Sequence, residues 1–265
     1  MNREFLKESK RIVIKIGTTT LTYPNGKINL KRIEKLSWVL SDISNSGKEV
    51  ALVSSGAIAV GMERLGLASR PRDIKGKQAT SAVGQAVLMQ IYQNFFQEYN
   101  QKTAQILLTK DVIDNEIRNK NAKNTFYALF EMGVIPIVNE NDTISTDELE
   151  FSDNDTLSSY VACLIESDLL IILSDIEGLF ESDPKLNPNA KKFKCVEKIS
   201  DKIINLAGLP SSELGTGGMY SKIIAAKKAT EFGINTVISN GEDPGVLFKI
   251  LDGEDVGTLF ISDKA

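Results

Sequence analysis

The chain has 265 residues, 42% hydrophobic and 25% charged, enough for one large α/β domain or two small ones with a full core. Its 31 basic and 35 acidic side chains leave a net charge of −4, so no nucleic-acid or anionic-membrane partner is indicated and any anion site must be built locally. Histidine is absent, which excludes imidazole acid–base chemistry and histidine metal sites. The first ten residues are polar and lack the apolar core of a signal peptide, and no run has the length of a membrane span. Cys163 and Cys195 form neither a CxxC pair nor a metal-ligand spacing, and read as free thiols of a reducing, cytoplasmic setting.

The first apolar run, Ile12-Val13-Ile14-Lys15-Ile16, predicts a buried parallel strand feeding the turn Gly17-Thr18-Thr19-Thr20. Lys15 is out of character there. Either it caps the strand end and reaches water, or it meets an anion, because an unpaired buried ammonium is costly. Asn29 caps an expected helix with apolar positions Leu30, Ile33, Leu36, Leu40 and Ile43, stopped by Gly47. Residues 49–53 predict a second strand running into Ser54-Ser55-Gly56-Ala57, and the helix after it ends at Gly66.

A loop near Pro71 leads to a long amphipathic helix ending near Tyr99, and 104–108 is a third strand. A helix over 121–132 stops at Gly133, before a fourth strand over 134–138. The polar loop Asn139-Glu140-Asn141-Asp142 runs on to Asp155, a helix carries Leu157, Val161 and Leu164, and 169–173 is a fifth, wholly apolar strand. A Pro/Asn-rich excursion over 182–189 and short mixed elements lead to Gly215-Thr216-Gly217-Gly218, which introduces a helix over 219–232. A strand over 234–238, a small helix and a terminal strand close the chain. Strands alternating with helices, without a composition shift, imply one three-layer α/β/α sandwich with a mainly parallel central sheet.

The polar clusters each follow a strand: Ser54 to Ala57 the second, Asn139 to Asp142 the fourth, Ser174-Asp175 the fifth. In a parallel sheet such ends share one edge, so they are expected to converge with Lys15. The glycines before Met219-Tyr220-Ser221-Lys222 allow close backbone approach to an anion at a helix N-terminus. Lys222 in that helix's first turns opposes the dipole, a placement that makes sense if an anion lies beside it. Gly26-Lys27, Gly47-Lys48 and Gly76-Lys77 are not followed by Ser or Thr, so there is no Walker A loop, and GxGxxG is not matched either. Phosphoryl transfer to a carboxylate fits: the acceptor is already ionised, and two lysines would offset the repulsion between it and the γ-phosphate.

This series of motifs resembles the amino-acid kinase superfamily and, within it, the glutamate 5-kinases. The resemblance rests on Val13-Ile14-Lys15-Ile16-Gly17-Thr18, Ser54-Ser55-Gly56-Ala57-Ile58-Ala59, Lys77-Gln78-Ala79 with Ala82-Val83-Gly84-Gln85, and Val138-Asn139-Glu140-Asn141-Asp142. It continues through Asp153-Asn154-Asp155, Asp175-Ile176-Glu177-Gly178-Leu179-Phe180 and Gly215 to Lys222. Ser152, Ser174, Ser221 and Phe180 are mild departures, standing where glycine, threonine, threonine and tyrosine are usual.

The resemblance implies an amino-acid kinase fold and ATP-dependent phosphorylation of the glutamate γ-carboxylate, first in proline biosynthesis. Lys15, Lys222 and Asp155 would be catalytic, the lysines on the transferring phosphate and Asp155 holding them. Ser55, Asp142 and Asn154 would bind glutamate, with Asp142 suited to its α-ammonium. Lys15, Ser174, Asp175, Thr216, Gly217, Gly218, Met219, Tyr220, Ser221 and Lys222 would bind ATP, with Mg²⁺ held through the nucleotide and no protein metal site. Residues 1–265 would form a single kinase domain, about 1–150 on the substrate side and about 151–265 on the nucleotide side, without the PUA-type domain of many relatives. A homo-oligomer, and channelling of product to the glutamyl-phosphate reductase, are further expectations. The rival acceptors are N-acetylglutamate, carbamate and a nucleoside monophosphate, and the rival class is a nucleotide-binding regulator without turnover.

Overall fold

The computed structural model describes residues 2–145, 151, 153–184, 186–207 and 218–262. Chain contacts divide it into two compact units, one of Met1–Lys15 with Ser152–Ala265 and the other of Ile16–Phe151. After a 3-10 turn at Glu4–Glu8, the lysine-bearing run forms strand β1 (Arg11–Ile16). All but its first residue are buried. The Gly-Thr-Thr-Thr segment, expected as a turn, closes into a one-turn helix, α1 (Thr18–Leu21). Leu21 N–H reaches Gly17 O, and the buried Leu21 side chain anchors a threonine run with little helix propensity of its own.

In the unit Ile16–Phe151, α2 (Leu30–Asn45) starts where the Asn29 side chain accepts from Arg32 N–H at 3.1 Å. It buries the stripe Ile33, Leu36, Leu40 and Ile43, as the helical spacing requires. Strand β2 (Glu49–Ser54), helices α3 (Ala57–Leu65) and α4 (Ile74–Glu98), and strand β3 (Lys102–Leu108) follow. Next come a short turn, α5 (Asp111–Asp114), then α6 (Glu116–Glu131) and strand β4 (Val134–Glu140). Helix α6 begins five residues before the expected 121, because Asn115 caps it by accepting from Arg118 N–H at 3.0 Å. Its first turns are polar, so apolar periodicity does not reveal them. The strands here lie in the order β3-β4-β2, all parallel, with α2 on β2, α4 on β3 and α6 on β4.

Helices α3 and α4 touch backbone to backbone. A Cβ at Gly84 would lie 1.7 Å from Ala57 O, and one at Gly61 would lie 2.0 Å from Thr80 O, so only glycine permits the crossing. Gly56, at φ +107°, makes the turn from β2 into α3.

In the other unit, helix α7 (Asn154–Leu164) leads to strand β5 (Leu169–Ser174), six buried residues that read as a strand covered on both faces. Strand β6 (Cys195–Val196), helices α8 (Asp201–Leu206) and α9 (Met219–Glu231), strand β7 (Asn235–Asn240), helix α10 (Val246–Leu251) and strand β8 (Thr258–Phe260) complete it. The strand order is β1-β5-β7-β8-β6; β7 pairs parallel with β5 and antiparallel with β8. Helices α7 and α9 pack on each other and on β5. The expected α/β class with mainly parallel strands is what each unit has.

Candidate active site

The strand lysine does not reach water. Lys15 is 5% exposed, and its Nζ lies 2.6 Å from Asp155 Oδ1, a buried ion pair. The other oxygen, Oδ2, accepts from Lys222 Nζ at 3.0 Å. Three elements place these groups: the end of β1, the first turn of α7 and the first turn of α9. Asp155 sits where the α7 N-terminus favours a carboxylate, and Asp153 caps that helix by accepting from Thr156 N–H at 2.8 Å. Ser221 Oγ stands 2.9 Å from both Asp155 Oδ2 and Gly218 O.

Burial alone would push the Asp155 carboxyl up; Lys15 and Lys222 reverse that and hold it below the usual carboxylate range. The anion beside Lys222 is therefore the protein's own. Two ammoniums thus face one carboxylate, buried at the head of α9. That cationic pair, at the N-terminus of a 13-residue helix, is suited to a phosphoryl group.

Ser174 and Asp175 follow β5, and the Ser174 hydroxyl donates to the exposed Asp175 carboxylate at 3.0 Å. Gly218 and Tyr220 are exposed and Met219 half-buried at the start of α9. Thr216 and Gly217 lie outside the described residues. Asn154 is the first residue of α7 and half-buried.

In the unit Ile16–Phe151, half-buried Ser55 donates its N–H to Ile16 O at 3.1 Å, which fixes the turn after β2. Beneath it the Ser54 hydroxyl meets Tyr92 OH at 2.8 Å, and burial pushes that phenol far up. Half-buried Asp142 accepts from the Ser81 hydroxyl. Burial raises its carboxyl above the usual range, with Ser81 and then Arg70 opposing the shift. Neither thiol competes for a chemical role: burial pushes Cys163 up to about 11, despite Lys228, and burial raises Cys195 too.

Comparison with known proteins decides the family. The Amino acid kinase family matches residues 10–240. The chain is 55% identical to a glutamate 5-kinase of Clostridium perfringens over 99% of both chains. It is 52% identical to one of Listeria innocua, over 99% of this chain and 96% of that one. The chain belongs to the glutamate 5-kinases of the amino acid kinase family.

More distant solved structures share the fold. A carbamate kinase from Giardia lamblia, bound to AMP-PNP, aligns with TM-score 0.68 at 17% identity, over 97% of this chain and 100% of that one. A UMP kinase from Bacillus anthracis aligns with TM-score 0.66 at 19% identity, over 96% and 97%. The three-layer amino-acid kinase fold expected from the sequence is thus the fold of this chain.

The described site has a residue that sequence reasoning passed over. Ser81 lies in the long helix between two quoted motifs, and its hydroxyl holds Asp142. A signal was present: Gln78, Ser81 and Gln85 recur at spacings of three and four within α4, a polar stripe in a helix that elsewhere buries Leu88, Tyr92 and Phe96. Among the described residues there is no group of three acidic or thiol side chains that could hold a metal, and no helix long and apolar enough to cross a membrane.

Proposed function

We propose that the protein transfers the γ-phosphoryl group of ATP to the γ-carboxylate of L-glutamate, giving L-glutamyl 5-phosphate and ADP, the first step toward proline. The observation that carries this reading is the buried Lys15–Asp155–Lys222 cluster, two ammoniums on one carboxylate, in a chain that belongs to the glutamate 5-kinases. A carboxylate oxygen attacks the γ-phosphorus while the bond to the β,γ-bridging oxygen breaks, and that electron pair leaves on ADP. No proton moves, so the chemistry needs no imidazole base.

Negative charge spreads over the phosphoryl oxygens as the bond breaks, and Lys15 and Lys222 stabilise it there. Asp155 keeps the two ammoniums at fixed distance and stops them repelling one another before the nucleotide arrives. Ser174, Asp175, Thr216, Gly217 and, at the head of α9, Gly218, Met219, Tyr220 and Ser221 hold ATP on the unit formed with Ser152–Ala265. Ser55 and Asp142 of the unit Ile16–Phe151 bind glutamate, Asp142 meeting the α-ammonium, and Asn154 is a further glutamate-binding residue.

ATP comes with Mg²⁺ carried on its phosphates, which supplies charge neutralisation there; no residue of this chain is assigned to it. An acyl phosphate hydrolyses readily in water, which favours prompt delivery to a reductase, and the same reading extends to a homo-oligomer in the cytoplasm.

The test is hydroxylamine trapping with glutamate, N-acetylglutamate and aspartate as competing acceptors. Hydroxamate should form from glutamate. Preferential turnover of N-acetylglutamate would defeat the proposal, because an acylated nitrogen has no ammonium for Asp142.

A further inference from the structure

We propose that Ser81 is a positioning residue for the amino acid substrate: its hydroxyl fixes the Asp142 carboxylate so that one oxygen stays available to a free α-ammonium. This rests on the reading of Asp142 above. Three successive turns of α4 grip the segment after β4. Gln85 Oε1 accepts from Asn139 Nδ2 at 2.9 Å, Ser81 Oγ donates to Asp142 Oδ2, and Gln78 Nε2 donates to Ser145 O at 3.0 Å. Helix and segment run in opposite senses, so 85, 81 and 78 meet 139, 142 and 145 in register.

The outer two bonds are between neutral groups and serve to hold the segment. The middle one differs. Its acceptor is a half-buried carboxylate, and among the described residues Ser81 supplies the one hydrogen bond that this side chain accepts. Ser81 is 3% exposed, and the helix backbone around it cannot shift, because α4 is pressed on α3 at Gly84. A neutral hydroxyl orients the carboxylate without cancelling its charge. A lysine or arginine in its place would orient it and also neutralise it. Arg70, the cation that acts on the same carboxylate, is exposed and therefore screened. The full negative charge of Asp142 thus stays available to select an acceptor with a free ammonium over one whose nitrogen is acylated.

The experiment is steady-state kinetics of Ser81→Ala, Ser81→Thr, Asp142→Asn and the Ser81→Ala/Asp142→Asn double variant, with glutamate and ATP varied separately. Ser81→Ala should raise the glutamate KM about 10- to 100-fold, the range for a hydrogen bond to a charged group, while kcat and the ATP KM hold. Ser81→Thr keeps the hydroxyl and should restore a near-normal glutamate KM. In the Asp142→Asn background Ser81→Ala should add nothing, because its effect passes through that carboxylate. A normal glutamate KM in Ser81→Ala, or the same further loss in both backgrounds, would overturn the positioning role while leaving the proposed reaction intact. A wild-type protein that makes no acyl phosphate from glutamate would overturn both.

Discussion

Replacing Asp155 by asparagine keeps its shape and removes the charge to which two buried ammoniums are paired. The carboxylate has no exposed surface, and the Lys15 and Lys222 side chains are 6% and 5% exposed, so water cannot substitute for it. Removing one partner of a buried pair costs about 3–5 kcal/mol. In a chain of this size each kcal/mol moves the melting temperature by roughly 2–4 °C, so Asp155→Asn should melt about 10 °C lower. The surface pair Arg118–Asp111, with its arginine 61% exposed, is the internal control; Arg118→Ala should cost only about 0–1 kcal/mol.

The pH dependence has a definite sign. The folded-state pKa of Asp155 is held below its ordinary value, so its stabilisation is present above the unfolded-state value and fades as pH falls through the folded one. The gap between wild type and variant should therefore persist from neutral pH down to about 4 and close only below that. Differential scanning calorimetry across that range, with and without a non-hydrolysable ATP analogue, gives the answer. The analogue should recover part of the loss, since its phosphates replace the missing negative charge. A variant destabilised no more than Arg118→Ala would refute the reasoning.

Lys15→Met and Lys222→Met should each lower kcat about 100- to 1,000-fold with a much smaller change in ATP affinity, and the double variant should lose less than the product; a raised KM at normal kcat would make either lysine a binding residue only. Because Asp142 titrates above the usual carboxylate range, the glutamate KM should begin to rise on acidification at a higher pH than an ordinary aspartate would give, and a pH profile of that KM flat into the carboxylate range would contradict its role. Asp142→Asn should weaken glutamate binding about ten- to hundred-fold and ATP binding little, which calorimetric titration of each ligand measures. Gly84→Ala places a Cβ 1.7 Å from Ala57 O and should cost about 1–3 kcal/mol in thermal stability; a melting temperature equal to wild type would mean the helices separate freely.

Much of the architecture is legible because its causes are local. Asn29 caps α2, Gly66 ends α3, and the aliphatic run of β5 can only be a strand covered on both faces. Lys15 was conspicuous for the same reason, as a charge in an apolar run. That the anion it meets is Asp155 came from the resemblance alone and not from any local pattern, since Asp155 is 140 residues away along the chain and reaches it only through folding. Nor does anything local tell that residues 1–15 belong to one compact unit with 152–265. The start of α6 was missed because its cap lies outside the apolar stripe, and Ser81 because a serine between Thr80 and Ala82 in a helix has no meaning until its partner is known. Thr216 and Gly217, conspicuous in the sequence, fall outside the described residues.

The most direct measurement follows an oxygen atom. Glutamate labelled with ¹⁸O in its γ-carboxylate is incubated with the protein, ATP and hydroxylamine, and the released phosphate is weighed by mass spectrometry. Attack by the γ-carboxylate puts one of its oxygens in the P–O–C bridge, and hydroxylamine, attacking carbon, releases that oxygen with the phosphate. The phosphate should carry one ¹⁸O per turnover, and none when only the α-carboxylate is labelled. Phosphate without label from γ-labelled glutamate would mean that the γ-carboxylate is not the acceptor.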